Sequence, residues 1–181
     1  MNIKEYFRKM RGGAKSPPGV KFYEILWAGL GSALGIFMCG YLSAKYFNPI
    51  GLTLFIGSFG ASAVLVYAAI KSPLAQPRNL IGGHIISAAV GVTCYQLFGH
   101  FILIASCLAV SFAIMSMLAT KTLHPPGGAT ALIAVIGGSG IYKLGYLYVL
   151  IPAGLGAVVL LIIALIVNNL SENRRYPEYW L

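Results

Sequence analysis

Two histidines and three hydroxyl side chains are the groups in this chain best suited to chemistry inside an apolar environment. His84 lies just inside an apolar segment, and His124 precedes a Pro-Pro pair. Ser58, Ser62 and Thr130 lie in short glycine-containing stretches. An imidazole can donate, accept or carry a proton, and a hydroxyl can donate to an anion. These groups predict binding of a polar solute rather than covalent catalysis.

Acidic residues are confined to the two ends of the chain. The four are Glu5, Glu24, Glu172 and Glu178. From Ile25 to Ser171 the formal charges are all positive, namely Lys45, Lys71, Arg78, Lys121 and Lys143. Cation and proton transporters usually place carboxylates in the membrane, and carboxylate-bridged metal sites and two-carboxylate hydrolases also need them. The interior therefore favours an anion or a neutral polar solute.

Two similar stretches form the predicted binding site. Gly60-Ala61-Ser62-Ala63-Val64-Leu65 is matched 68 residues later by Gly128-Ala129-Thr130-Ala131-Leu132-Ile133. The predicted solute-binding residues are Ser58, Phe59, Gly60, Ala61, Ser62, Gly127, Gly128, Ala129 and Thr130. Hydroxyls would donate to the solute, and glycines would expose backbone N–H groups. Alternatively, each hydroxyl bonds a carbonyl one turn back and the glycines only pack helices.

Each stretch follows a segment that favours extended chain, and each is predicted to begin a half-helix near the membrane midplane. Such a start presents free N–H groups and the positive end of the helix dipole, which suit an anion. Transporters with inverted repeats use broken helices in this way. We therefore expect the two helix starts to form one anion site near mid-membrane.

Residues around these stretches are predicted to form a gate. They are His124, Pro125, Pro126, Gln76, Arg78 and His84. His124 could touch an anion or relay a proton, but could also only cap a helix. His84 could face the path or lie at the interface. Arg78 could attract an anion, or could simply be a charge that sets topology.

The composition places the chain in a membrane. It is 58% hydrophobic and 9% charged, and several long segments carry no Asp, Glu, Lys or Arg. A spanning helix needs about 20 apolar residues. The sequence predicts an all-α membrane protein with six apolar elements, at residues 22–45, 50–70, 80–98, 101–120, 126–139 and 145–169. They would form two inverted three-element repeats, with the second and fifth elements broken or half-helices.

The basic residues predict the orientation. With six crossings and a cytoplasmic N-terminus, eleven of the 13 Lys and Arg residues lie inside; if the second and fifth elements were re-entrant, only eight would. The positive-inside rule favours six crossings with both ends in the cytoplasm. The predicted organisation is a basic cytoplasmic segment at residues 1–21, a transmembrane domain at 22–170 and an interfacial tail at 171–181.

Other classes of function are disfavoured. The net charge of +9 is spread along the flanks of apolar segments rather than in one patch, which argues against nucleic acid. Cys39, Cys94 and Cys107 form no CxxC pair and are interpreted as packing residues. The N-terminus lacks the pattern of a cleaved signal or a transit peptide. No metal, cofactor or enzymatic activity is expected.

The motif Leu123-His124-Pro125-Pro126-Gly127-Gly128-Ala129-Thr130-Ala131-Leu132 resembles the signature of the HPP family of integral membrane proteins. The stretches 56–63, 72–79 and 82–84 are also similar to that family, in the same order. The resemblance implies a description with four membrane spans, which differs from the six elements above. It also implies a bacterial-type or plastid membrane and, from plant and cyanobacterial members, nitrite transport.

The expected function is a transporter or channel for a small inorganic anion, with nitrite the best candidate. The alternative is a non-transporting sensor or assembly subunit whose glycine motifs only pack helices. The expected partners are the anion, the bilayer and, as an option, a second copy of the chain. The expected location is the cell membrane, with a bacterial-type plasma membrane favoured over a plastid envelope.

Overall fold

A computed structural model describes residues 2–181 as an all-helical chain. Four helical segments are long and apolar enough to cross a membrane: Phe22–Ile50, Pro77–Phe98, Ile102–Ala119 and Val149–Leu170. Two shorter apolar helices, Ser58–Ala68 and Pro125–Ile136, lie where the second and fifth elements were predicted. The chain is therefore a multi-pass membrane protein by the length and composition of its helices.

The helices are numbered in chain order. They are α1 (Ile3–Lys9), α2 (Phe22–Leu42), α3 (Ser58–Ala63), α4 (Pro77–Phe98), α5 (Ile102–Ala119), α6 (Pro125–Ile136), α7 (Ser139–Tyr142) and α8 (Leu155–Leu170). Wider, π-helical turns extend α2 through Ser43–Phe47 and α3 through Val64–Ala68, and precede α8 at Val149–Gly154. Residues 52–56 have no regular secondary structure and lead into α3.

Prolines start two of these helices. Gln76 and His124 are both extended, as residues before proline tend to be, and Pro77 and Pro125 occupy the first helical positions of α4 and α6. Proline lacks an N–H group, but a first-turn N–H has no helical partner in any case. The prediction that α4 begins near residue 80 was late by one turn because Pro77 is part of the helix.

Small residues allow the helices to approach closely. Along α5, Ala105, Ala109 and Ala113 are fully buried at four-residue intervals. On α2, a Cβ added at Gly31 or Gly35 would collide with the ring of Tyr67. Packing of this kind is typical of membrane helices, where dispersion contacts rather than the hydrophobic effect hold helices together.

Polar contacts gather four parts of the chain at one end of the bundle. Arg174 of the C-terminal tail pairs with Glu24 near the start of α2, with 3.1 Å between Nη1 and Oε2. The phenol of Tyr176 donates to the carbonyl of Ala75 at 2.7 Å. The amide of Asn79 donates to the carbonyl of Leu123 at 2.9 Å. The tail, the α2 start and the loops before α4 and α6 therefore lie together.

Candidate functional site

Three helices and one loop bring a set of polar side chains into the protein interior. Helix α3 supplies Ser58 and Ser62, α4 supplies His84, and α6 supplies Thr130, with His124 directly before its first turn. None of these five side chains is more than 1% exposed. Buried polar groups are costly unless they are hydrogen-bonded, so their partners determine what the site can do.

The two imidazoles converge on one hydroxyl. The Oγ of Ser62 lies 2.7 Å from Nε2 of His84 and 2.9 Å from Nε2 of His124. The ring centroids of the two histidines are 5.2 Å apart. Both distances are short enough for strong hydrogen bonds, so Ser62 links two imidazoles that are 40 residues apart in the sequence.

The outer nitrogen of each imidazole is also bonded. Nδ1 of His84 lies 2.7 Å from Oγ1 of Thr130, which donates to Oγ of Ser58 at 2.8 Å. Nδ1 of His124 lies 2.8 Å from the carbonyl oxygen of Leu74. These contacts form one continuous chain from Ser58 to Leu74, which we call the histidine network: Ser58, Thr130, His84, Ser62, His124 and the Leu74 carbonyl.

Glycines and one aromatic ring shape the network. A Cβ at Gly83 would lie 2.5 Å from Cβ of His124, and one at Gly127 would lie 2.6 Å from Oγ of Ser87. These two glycines let α4 and α6 approach closely enough for His84 and Thr130 to bond. The ring of Phe59 meets His84 edge-on at 5.3 Å and closes the network from the α3 side.

The predicted solute-binding residues divide between an inner and an outer face. Ser58, Phe59, Ser62, Gly127 and Thr130 are buried at or beside the network. Gly60, Ala61, Gly128 and Ala129 point away from it. Gly60 lines a groove of about 500 Å³ against α2, and Gly128 and Ala129 line one of about 560 Å³ against α5.

The predicted gate residues also lie in different parts of the structure. His84 and His124 are in the network itself. The amide of Gln76 instead holds its own loop, donating to the carbonyls of Ile70 and Ser72 and accepting from the Glu178 N–H. Arg78 is half-buried at the start of α4, where its Nε is buried without a hydrogen-bond partner. Pro125 is exposed and Pro126 is buried.

The starts of α3 and α6 do not meet at one point. Ser58 at the start of α3 bonds Thr130 in the second turn of α6, whereas His124 before α6 bonds Ser62 in the second turn of α3. The two helices therefore lie antiparallel and side by side, with their starts at opposite ends of the contact. This geometry differs from the prediction that the starts of α3 and α6 together form one anion site.

The start of α6 also offers few N–H donors. Pro125 and Pro126 have none, and the N–H of Gly127 donates to the carbonyl of His124 at 2.8 Å. Backbone dipoles at this helix start are therefore a weaker anion site than predicted from the sequence. The other polar groups in this region are side-chain hydroxyls and imidazoles.

Several contributors were not predicted. The Leu74 carbonyl cannot be identified from residue types, because any residue supplies one. Tyr148 is fully buried and its phenol donates to the Thr130 carbonyl at 3.0 Å. A tyrosine beside an apolar run could have indicated a buried hydroxyl needing a partner. In residues 2–181 no group of three or more His, Cys, Asp or Glu side chains is placed to hold a metal ion.

Comparison with known proteins places the chain in a family. The family model of the HPP transmembrane region matches residues 17–177. The chain is also similar to two transmembrane proteins of Dictyostelium discoideum. One is 44% identical over 179 residues, covering 97% of this chain and 57% of the relative. The other is 43% identical over 186 residues, covering 99% of this chain and 65% of the relative.

The chain spans about three fifths of the length of these relatives. No solved structure matches it. The matched region includes all of the histidine network and the His-Pro-Pro motif that precedes Gly127. The protein is therefore a member of the HPP family of integral membrane proteins.

Proposed function

We propose that the protein carries a small inorganic anion across the membrane, with nitrite the best candidate, and that the histidine network is the closed centre of the path. The observation that supports this proposal is a continuous chain of buried polar side chains at the crossing of α3, α4 and α6. Polar groups inside membrane proteins usually mark substrate or ion pathways.

The chemistry of the network suits an anion. Serine and threonine hydroxyls and imidazole N–H groups are donors, and no acidic residue lies between Ile25 and Ser171. An anion that enters must exchange its hydration for about three or four such donors. Ser58, Ser62, Thr130 and the two imidazoles could supply them if their mutual bonds open.

The pairing of α3 and α6 supports a transport architecture. Both are short, both follow non-helical chain, and they run antiparallel in contact. We propose that they are the central elements of two inverted three-element repeats. In inverted-repeat transporters the substrate site lies at the repeat interface, and rocking of one half against the other opens it to alternate sides.

The proposed orientation has both chain ends in the cytoplasm of a cell. The end of the bundle that holds the tail and the α2 start also holds Lys71 and Lys121 in its loops and Arg78 at the start of α4. An excess of Lys and Arg near cytoplasmic helix ends is the usual determinant of orientation. A plasma membrane of the bacterial type remains our proposal for location.

A second candidate is a non-transporting membrane protein. It is favoured by a specific observation, namely that Ser58, Ser62, His84, His124 and Thr130 already have protein partners at hydrogen-bond distance. A fully satisfied buried network can serve only to fix the packing of helices. The two candidates differ in whether anion flux depends on the network.

A measurement of anion flux distinguishes the transporter from the non-transporting protein. The purified full chain is placed in liposomes, and uptake of nitrite, nitrate, formate and chloride is compared with empty vesicles. We expect nitrite uptake above the empty-vesicle rate, and a large loss of that uptake in His124→Ala and Thr130→Val. His100→Ala is the matched control, because His100 is exposed at the opposite loop.

Two outcomes would contradict the proposal. If none of the four anions enters faster than in empty vesicles, transport of these anions is wrong. If uptake is unchanged in both network variants, the protein transports but not through this network.

A further inference from the structure

The direction of each hydrogen bond in the histidine network depends on how many protons the network holds. Five contacts connect its six members, with distances from 2.7 to 2.9 Å. Each contact needs one hydrogen between its two heavy atoms. The number of available hydrogens therefore decides whether every contact can be a hydrogen bond.

Two of the five contacts have a known direction. A carbonyl oxygen only accepts, so Nδ1 of His124 must carry a hydrogen and donate to Leu74. Oγ1 of Thr130 donates to Oγ of Ser58. Since the single hydroxyl hydrogen of Thr130 points to Ser58, or to the Pro126 carbonyl 3.3 Å away, Nδ1 of His84 must donate to Thr130. Each imidazole thus already carries a hydrogen on Nδ1.

The contacts at Ser62 are then one hydrogen short. If both imidazoles are neutral while Thr130 donates to Ser58, both Nε2 atoms are bare and both face the Ser62 oxygen, which has one hydroxyl hydrogen to give. One contact of 2.7 or 2.9 Å would then join two lone pairs, which is repulsive in a buried site. One additional proton removes this conflict, because it makes one imidazole a donor to Ser62.

We propose that Ser62, His84 and His124 form a proton-binding site that holds one proton shared between the two imidazoles. With His84 charged, its Nε2–H donates to Ser62 and Ser62 donates to Nε2 of His124. With His124 charged, the order at Ser62 is reversed. The charge passes between them when the Nε2–H bond of one imidazole breaks, Ser62 accepts that proton, and the hydroxyl proton of Ser62 forms the new N–H bond on the other.

Loss of the shared proton has a definite structural consequence. With both imidazoles neutral, five hydrogens satisfy the five contacts in one order only: Ser58 to Thr130, Thr130 to His84, His84 to Ser62, Ser62 to His124, and His124 to Leu74. The Ser58–Thr130 bond is therefore reversed relative to the protonated form. Proton uptake at the histidines and the direction of the α3–α6 bond are coupled.

The surroundings leave the imidazoles as the groups that titrate. The ring of Phe59 packs against His84, Ser87 lies beside Gly127 of α6, and the Tyr148 phenol donates to the Thr130 carbonyl. Within residues 2–181, no carboxylate, lysine or arginine hydrogen-bonds any network member. An imidazolium formed here has no carboxylate paired with it among residues 2–181.

The lack of a protein counter-ion connects the proton to the anion, and this step rests on the proposed function. A buried positive charge is unfavourable alone, and a buried anion is equally unfavourable alone, but the pair is neutral. The proton site and the anion site would therefore favour each other's occupancy, so that one proton travels with one anion.

The proton site can be tested without any transport. The full chain with nitrogen-15 in its imidazoles is placed in lipid nanodiscs, and the nitrogen signals are followed by NMR from about pH 8 to about pH 5. We expect His84 and His124 to take up one proton between them, with their Nε2 signals moving together. His100, which is exposed and lies outside the network, is the internal comparison.

Variants locate the shared proton. Ser62→Ala removes the bridging hydroxyl, and the two imidazoles should then titrate separately or not at all. Ser87→Ala is the matched control, because Ser87 is also a buried hydroxyl, but bonds the Met117 sulfur instead. If Ser62→Ala fails to fold, the wild-type spectra alone still show whether His84 and His124 take up one proton together. Two imidazoles that both stay neutral, or that become charged independently, would overturn the proposal.

Flux separates this inference from the proposed function. An inward proton gradient of about one pH unit should raise nitrite accumulation by about tenfold over the level without a gradient, after subtraction of empty vesicles, because one proton travels with each anion. His84→Gln should abolish that increase. A shared proton without any anion flux keeps the proton site and rejects transport. Anion flux without a shared proton keeps transport and rejects the proton site.

Discussion

Thr130 has the largest number of partners in the histidine network. Its hydroxyl contacts His84 and Ser58 and lies 3.3 Å from the carbonyl of Pro126, one turn back on α6. Its own carbonyl accepts from Tyr148. The one-turn-back bond expected as an alternative is thus present beside the bonds to other helices. Thr130 fixes the position of α6 relative to both α3 and α4.

Removal of this hydroxyl should destabilise the protein. Thr130→Val leaves Nδ1 of His84 buried without a partner, at a cost of about 1–3 kcal/mol in the free energy of unfolding. Thr130→Ser keeps the hydroxyl and should lose less. The measurement is thermal unfolding in detergent. Equal stability of wild type and Thr130→Val would show that the bond to His84 contributes nothing.

The contact between α4 and α6 depends on glycines on only one face of each helix. Gly127 lies against Ser87, Met117 and the carbonyl of Gly83, whereas at the next position a Cβ on Gly128 would have Val110 at 4.0 Å as its nearest neighbour. Adjacent glycines therefore have different roles, one in packing and one beside an open groove.

Alanine substitutions at these two glycines should have opposite effects. Gly127→Ala places a Cβ 2.6 Å from the Ser87 oxygen and 2.8 Å from the Met117 sulfur, and should cost about 1–3 kcal/mol through overpacking. Gly128→Ala should be neutral or stabilising by about 0.5–1 kcal/mol, because alanine favours helix. Thermal unfolding of both variants checks this. Equal losses in the two would contradict the assigned faces.

The sequence predicts where the helices lie better than which side of each helix faces the network. The chemistry of Ser62, His84, His124 and Thr130 stands out in apolar segments, and all four meet in the structure. Gly60 and Ala129 were assigned to the same site but face outward. A helix that is apolar all round shows no periodicity that distinguishes a protein-facing side from a lipid-facing side, so the rotational position of α3 and α6 could not be predicted.

At the scale of the whole molecule, the C-terminal tail closes one end of the bundle. The Arg174 guanidinium donates to the carbonyl of Tyr67 and to Oδ1 of Asn168, and it pairs with Glu24. Burial lowers the pKa of Arg174, and the Glu24 carboxylate opposes this shift. The sequence predicts only an interfacial tail, because contacts between residues 150 positions apart leave no local pattern.

Loss of Arg174 should loosen this end. Arg174→Gln leaves the Tyr67 carbonyl without its guanidinium donor and removes the partner of Glu24, so we expect a cost of about 3 kcal/mol. Arg175→Gln is the matched control, since Arg175 is exposed, and should change stability by less than about 0.5 kcal/mol. Unfolding in detergent and protease cleavage of the tail measure both. Equal behaviour of the two variants would show that the tail does not hold the bundle together.

The alanines of α5 have a further consequence for motion. Ala105, Ala109 and Ala113 recur at nearly one helical turn and pack beside Ala131 and Val135 of α6. A surface that repeats every four residues offers a neighbouring helix equivalent resting positions separated by about 6 Å. If α6 slides along α5, we therefore expect it to move between discrete positions rather than continuously. Each methyl group must leave one gap between side chains before it enters the next.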